Sequence, residues 1–238
     1  MSKPVSRRLF LVLTSGAIGL PSMLVAESEG PALLDHILLG TRDLQGGIDF
    51  VERHTGVRAT FGGVHPGRGT QNALLSLGER RYLEIIAPDP AQPGVKNPMA
   101  SGLHSLAEPR LVGWAAHPGD LSVFAAKLRT ARLAFEGPTP GSRKRPDGQL
   151  LKWQIVSLAD TVSGLLPFFI EWSQDSLHPS VDAPKGCVLL SFAAETPDPE
   201  KLAATLKTLS LGLPVKKGEQ ARLHTVISGP KGNLELFS

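Results

Sequence analysis

The chain has 238 residues, of which 41% are hydrophobic and 20% are charged, and this composition argues against a disordered protein. Its one cysteine, Cys187, excludes an intramolecular disulfide framework and a multi-cysteine metal cluster. The formal net charge of +3 lies in residues 1–26, so the remainder is formally neutral. We therefore expect no nucleic-acid partner, because polyphosphate binding needs a sustained stripe of Lys and Arg. The short basic run at residues 143–145 lies among Gly and Pro and is predicted to be a solvated loop.

Residues 1–26 are predicted to be an export signal. Arg7 and Arg8 precede an apolar stretch that ends at the small residue Ala26. The run Ser-Arg-Arg-Leu-Phe-Leu at residues 6–11 resembles the twin-arginine signal of bacteria. This resemblance implies a periplasmic protein with no stable membrane span after removal of the signal, and an uncleaved N-terminal anchor is the alternative.

Residues 31–110 are predicted to form a first unit, in which a strand and a helix are followed by three strands and a connection. The first strand contains His36, and the helix begins after Asp43 and ends near Gly56. The three further strands are predicted at residues 57–61, 72–77 and 82–87.

The same order of elements returns twice along the chain. Residues 111–184 are predicted to form a second unit with a strand, a helix and two further strands at 150–158 and 166–172. Residues 185–238 are predicted to form a third, shortened unit with one helix and three strands. An internal repeat of this kind indicates units that bury their apolar faces against one another, so the third unit is expected to pack on the first two.

Three features of the first unit carry a resemblance to a known family. The unit opens with Leu-Asp-His-Ile at residues 34–37, continues with a glycine-rich run at residues 63–72, and closes with Tyr-Leu-Glu at residues 82–84. This pattern resembles the glyoxalase-like branch of the vicinal oxygen chelate superfamily. The resemblance implies an α+β fold in which paired βαβββ modules form a curved-sheet cavity, with a third, shortened βαββ unit.

The resemblance also implies a divalent metal ion bound between the modules. His36 and Glu84 match the ligand positions of the first module, and Glu171 matches the glutamate of the second. Gly113 stands where the second module would supply another ligand, so three protein ligands would hold the ion. Glu171 or Glu84 would be the catalytic base, and the identity of the metal is open among Zn, Mg, Mn, Ni and Fe.

Strand alternation gives an independent argument about the two glutamates. Glu84 is expected to share its face with Tyr82 and Ile86, and Glu171 to share its face with Phe169. A buried, ionised carboxylate needs a cation or a hydrogen-bond donor, and either a metal ion or an ion pair with arginine would satisfy it.

Further residues are predicted to line the cavity and contact substrate. His65 could equally be a substrate contact or spare metal ligand, or an ordinary loop histidine. Glu235, in the third unit, has no histidine partner on its own first strand and is predicted to be structural. The predicted substrate-binding residues are His65, Thr70, Asn72, Trp153 and Phe169.

Two functions are compatible with the sequence. The first is a metal-dependent lyase, isomerase or dioxygenase that acts on a small molecule with two adjacent oxygens. The alternative is a non-catalytic protein of the same fold that binds or sequesters a small molecule. In both cases the expected partner is a small molecule, and the sequence leaves a homodimer open.

Overall fold

The computed structural model describes residues 31–159 and 161–238. The predicted export signal at residues 1–26 therefore lies outside the described residues. Within the described part of the chain, no helix is both long and apolar enough to cross a membrane.

The first module has the predicted order of one strand, one helix and three strands. The Asp43 side chain accepts hydrogen bonds from the Gly46 backbone N–H at the start of the helix, and Gly56 ends the helix in the left-handed conformation with φ of 80°. A short second helix then leads to the next module. The elements are β1 (Leu34–Gly40), α1 (Leu44–Thr55), β2 (Thr60–His65), β3 (Thr70–Ser76), β4 (Tyr82–Pro88) and α2 (Pro98–His104).

The second module repeats this order, with one strand more than the sequence indicated. Residues around Pro138 and Pro140, which were expected to form a loop, belong to a ten-residue strand that pairs antiparallel with its successor. Proline is tolerated there because the strand is at the edge of the sheet, where one row of backbone groups has no ladder partner. The elements are β5 (Arg110–Ala116), α3 (Leu121–Thr130), β6 (Phe135–Lys144), β7 (Leu150–Leu158) and β8 (Phe168–Trp172).

The two modules form one continuous eight-stranded sheet. Its strand order is β2-β3-β4-β1-β5-β8-β7-β6, with β1 and β5 antiparallel at the centre and each parallel to the last strand of its own module. The sheet curves until its two edge strands, β2 and β6, touch. At this contact a Cβ on Gly63 would lie 2.6 Å from the Lys144 carbonyl oxygen, so the approach requires glycine. The predicted α+β fold of paired modules around a curved-sheet cavity is confirmed.

A third unit forms a separate four-stranded sheet with the order β10-β9-β11-β12. Its first strand pairs with the two strands that follow the helix, whereas in the modules the first strand pairs with the last. Phe192 of this sheet packs edge-on against Trp114 of β5 at 5.4 Å, and both side chains are fully buried in one core. The predicted boundaries at residues 110, 184 and 185 stay predictions. The elements are β9 (Val188–Thr196), α4 (Pro199–Thr208), β10 (Val215–Lys217), β11 (Arg222–Ser228) and β12 (Asn233–Phe237).

Candidate functional site

A cavity of about 270 Å³ lies within the curve of the eight-stranded sheet. The first module supplies most of its polar wall, from β1, β2, β3 and β4. The second module supplies a mainly aromatic and aliphatic wall from β7 and β8, together with one arginine from β6. A small concave site with apolar walls and a few convergent polar groups is typical of small-molecule binding.

His36 and Glu84 meet in this cavity, as the sequence predicted. Their strands are parallel neighbours, and the His36 Nε2 atom lies 3.4 Å from the Glu84 Oε2 atom. The imidazole ring stacks on Tyr82 with 4.6 Å between the ring centroids. Both side chains are almost completely buried.

His65, Thr70 and Asn72 also line the cavity, at the positions where the sequence predicted substrate contacts. The Asn72 Nδ2 atom donates a hydrogen bond of 2.6 Å to the Glu84 Oε1 atom, and the His65 Nε2 atom lies 3.7 Å from the same oxygen. The His65 Nδ1 atom contacts the Thr70 hydroxyl at 2.9 Å. Glu84 is therefore held between two imidazoles and an amide.

The surroundings of Glu84 keep it ionised. Burial alone would raise the pKa of Glu84, but the nearby imidazoles of His36 and His65 and the hydrogen bond from Asn72 lower it below its usual value. Burial has the opposite consequence for His65, whose pKa is lowered because desolvation disfavours the imidazolium. The site at neutral pH thus contains a carboxylate beside a neutral His65.

Asp35 is a part of the site that the sequence analysis missed. The pairing register of β1 with β5 shifts between Leu34 and His36. This β-bulge brings the side chains of Asp35 and His36 together, although strand alternation would place them on opposite faces. The Asp35 Oδ1 atom lies 2.7 Å from the His36 Nδ1 atom. Its Oδ2 atom accepts from the Trp172 indole at 3.1 Å and lies 3.1 Å from the His178 Nε2 atom.

These contacts keep Asp35 ionised although it is fully buried. Burial would raise the pKa of Asp35, but the hydrogen bonds with His178 and His36 lower it well below the usual range. His178 is in turn held by Ser180, at 2.8 Å between the Nδ1 atom and the hydroxyl. His178 lies between β8 and β9, where no sequence pattern indicated a functional residue.

Arg143 corrects the prediction that residues 143–145 form a solvated loop. It belongs to the edge strand β6 and is only 3% exposed, and its side chain lines the cavity. Its strand neighbour Lys144 is exposed, and Arg145 forms an ion pair with Asp182. Strand alternation explains the difference between Arg143 and Lys144, because consecutive side chains of a strand point to opposite faces.

The structure does not bring Glu171 and Phe169, which were expected in the cavity, to the cavity wall. Both lie on the face of β8 that packs against α3, and the Glu171 Oε2 atom accepts a hydrogen bond of 2.8 Å from the Leu121 backbone N–H at the start of that helix. Phe169 is fully buried against Phe124, with 4.2 Å between the ring centroids. The opposite face of β8 lines the cavity with Phe168, Ile170 and Trp172, and Trp153 of β7 does so as predicted.

The residues present do not fit the predicted three-ligand metal site. His36 and Glu84 face the cavity, but Glu171 faces the helix layer, and a Cβ at Gly113 would meet no atom within 4 Å. Among residues 31–159 and 161–238, no three His, Cys, Asp or Glu side chains are arranged to hold a metal ion.

The paired modules around the cavity of the eight-stranded sheet have the vicinal oxygen chelate fold. The family described as the glyoxalase-like domain matches residues 34–210, which is more than half of the chain. The chain therefore belongs to the glyoxalase-like domain family. No curated protein matches the sequence.

Several solved structures are similar in fold. A hypothetical protein from Staphylococcus aureus has a TM-score of 0.58 at 15% identity, and the match covers 86% of this chain and 84% of that one. Methylmalonyl-CoA epimerase from Mycobacterium tuberculosis has a TM-score of 0.43 at 18% identity, covering 63% and 92% of the two chains. A hypothetical protein from Bacillus halodurans has a TM-score of 0.44 at 13% identity, covering 60% and 95%. At these identities the likeness concerns the fold.

Proposed function

We propose that the chain is an enzyme that transfers a proton at a carbon next to a carbonyl group of a small molecule. The observation that carries this proposal is the line of contacts from Asp35 through His36 to Glu84 at the cavity wall. A carboxylate that orients an imidazole beside a substrate cavity is a common arrangement for general acid–base catalysis.

The contacts of His36 assign its two ring nitrogens different tasks. An ionised Asp35 can only accept a hydrogen bond, so the short contact between its Oδ1 atom and the His36 Nδ1 atom requires the proton on Nδ1. The Nε2 atom is then the nitrogen that faces Glu84 and the cavity. It is the atom placed to accept a proton from a bound molecule.

The proposed step moves one proton and returns it. The His36 Nε2 atom takes the proton from the substrate carbon, and the electron pair of the broken C–H bond is delocalised into the carbonyl as an enolate. Asp35 and Glu84, one on each side of the ring, stabilise the imidazolium that forms. Return of the proton to the enolate restores the starting form of His36 and gives an isomerised or exchanged product.

The second candidate is a protein that binds a small molecule without transforming it. The engagement of Glu171 by the start of α3 favours it, since β7 and β8 then bring only Ser157 and aromatic or aliphatic side chains to the cavity. All carboxylates and imidazoles at the cavity wall belong to the first module.

Hydrogen–deuterium exchange separates the two candidates. The full chain, treated with a chelator, would be incubated in D₂O with small keto and hydroxy acids, esters and ketones, and deuterium incorporation followed by proton NMR. The proposal predicts incorporation at the carbon next to the carbonyl for at least one compound class. A compound that binds in the cavity, with no exchange in any class, would support the binding protein instead.

A further inference from the structure

Arg143 is a buried positive charge that forms no ion pair with any residue the structure describes. Its side chain is 97% shielded from solvent, and its Nη1 atom has no hydrogen-bond partner. Within the described part of the chain, the structure gives this guanidinium no ion pair, whereas Arg145 two residues along is paired with both Asp147 and Asp182. Burying a guanidinium without a hydrogen-bond partner raises the free energy of the folded protein. We therefore expect this group to pair with a molecule that binds in the cavity.

A second unpaired polar atom lies beside it. The Asn72 Oδ1 atom is buried and has no hydrogen-bond partner, although the Asn72 amide nitrogen is engaged by Glu84. A Cβ on Gly62 would lie 2.5 Å from the Asn72 Oδ1 atom and 3.0 Å from the Arg143 Nη1 atom, so the two unpaired atoms flank the same glycine. Asn72 and Arg143 both line the cavity that contains His36 and Glu84.

The charges and walls of the cavity select the class of partner. Arg68 and Arg143 contribute two positive charges to the cavity wall and Glu84 contributes one negative charge, so a monoanion balances these groups and is favoured over a phosphate dianion. A planar guanidinium matches a carboxylate through two parallel hydrogen bonds. The part of the wall formed by β7 and β8, with Trp153, Phe168 and Ile170, is suited to an apolar group.

We propose that Arg143 binds the carboxylate of the substrate and that the substrate class is a small monocarboxylic acid with an apolar body. This assignment rests on the proposed function, because a substrate is defined by the proposed proton transfer. The binding site itself can be tested without any reaction. It gives the unpaired guanidinium a counterion and places the anion in the same cavity as the proton-transfer residues.

Binding of three matched probes to the full chain tests the assignment. Phenylacetate carries a carboxylate, 2-phenylethanol replaces it by a neutral hydroxyl, and benzylphosphonate replaces it by a phosphonate. Calorimetric titration should give phenylacetate an affinity about tenfold or more above that of either analogue, as expected for a hydrogen-bonded charge pair. Equal affinity for phenylacetate and 2-phenylethanol, or a preference for benzylphosphonate, would overturn the assignment.

Variants of the basic run locate the carboxylate site. Arg143→Met should remove the preference for phenylacetate and leave the weak binding of 2-phenylethanol unchanged, while Arg143→Lys should retain part of it because the charge remains and the planar fork is lost. Lys144→Met removes an equal charge from an exposed position and should change nothing. Undiminished phenylacetate binding in the Arg143→Met variant would refute the proposal.

Melting temperatures measured without ligand show whether a variant has lost binding only because it no longer folds. Replacing a buried, unpaired charge by an apolar side chain of similar length should leave the melting temperature unchanged or raise it. A large fall, together with wild-type selectivity in the Arg143→Lys variant, would show that Arg143 is structural. Carboxylate-selective binding without deuterium exchange would leave this proposal standing and refute the proton transfer, whereas exchange without carboxylate selectivity would do the reverse.

Discussion

Asp35 determines how the site is arranged, although the side chain does not line the cavity. Its two carboxylate oxygens contact His36, His178 and Trp172, which come from β1, from the segment after β8 and from β8 itself. One buried carboxylate thereby joins the two modules behind the cavity. Removing its charge should affect both the orientation of His36 and the stability of the fold.

Asp35→Asn should destabilise the protein and reduce its sensitivity to acid. The pKa of Asp35 is lower in the folded protein than in the unfolded chain, so its ionised form stabilises the fold above about pH 4 and that contribution is lost as the pH falls further. At pH 7 the variant should lose about 3 kcal/mol of unfolding free energy, the range for breaking a buried charged contact. Denaturant unfolding at pH 7 and pH 3 measures both effects.

The matched control for that change is Asp175→Asn. Asp175 is exposed and pairs with Lys152 at 2.8 Å, and surface ion pairs of this kind contribute little to stability. If the two variants lose similar free energy at pH 7, Asp35 does not have the structural role assigned to it.

The two faces of strand β8 have different surroundings, and the face that carries Glu171 is not the cavity face that the sequence analysis expected. Glu171 and Phe169 hold α3, while Phe168, Ile170 and Trp172 line the cavity. The Glu171 carboxylate lies at the start of α3, where a negative charge interacts favourably with the helix dipole. Its contribution therefore concerns the attachment of a helix to the sheet.

Glu171→Gln should lower stability without affecting the site. The expected loss is about 0.5–1 kcal/mol of unfolding free energy, because the amide keeps a hydrogen-bond acceptor but loses the charge at the helix start. Urea denaturation measures the loss, and phenylacetate binding should be unchanged. Loss of ligand or metal binding with unchanged stability would restore the predicted role of Glu171 in the cavity.

The sequence was sufficient to predict the order of elements in the first module and the meeting of His36 and Glu84 at the cavity. Alternation along β4 correctly placed Glu84 and Tyr82 on the cavity face, because every residue of that strand keeps regular pairing with β3. In β8 the same alternation correctly predicts which residues share a face. It does not predict which of the two faces lies on the concave, cavity side of the sheet. The bulge at Asp35 and the proline-containing β6 depend on pairing with distant strands, which a local pattern does not contain.

On the scale of the whole molecule, the third unit completes the hydrophobic core. Its strands and helix bury Phe192, Leu202 and Leu223 in the same cluster as the residues beneath the eight-stranded sheet. The cavity lies on the other face of that sheet, so the third unit supports the site without contributing to its lining.

Truncation after Pro184 should give insoluble or molten protein. The truncation would expose the apolar face around Trp114 that Phe192 now covers. Solubility, near-ultraviolet circular dichroism and the cooperativity of thermal unfolding measure the result. A soluble truncation that melts cooperatively would show that residues 185–238 are an independent appendage.

The proposed export signal is tested by changing Arg7 and Arg8 together to Lys. The pair is the distinguishing feature of the twin-arginine pattern, so the variant precursor should stay in the cytoplasm of a bacterial host while the unchanged chain is exported. Cell fractionation followed by immunoblotting measures the distribution. Unaltered delivery to the periplasm would contradict the twin-arginine assignment.

The most direct measurement of the central claim is the rate of deuterium exchange in two matched histidine variants. His36 pairs with Glu84 in the cavity, and His224 pairs with Glu235 at 2.8 Å on the four-stranded sheet, far along the chain from the cavity residues. For a compound that the unchanged protein exchanges, His36→Gln should slow deuterium incorporation by about 10²–10⁴-fold, the contribution of a general base, and His224→Gln should leave it unchanged. Equal exchange rates in the two variants would contradict the assignment of proton transfer to His36.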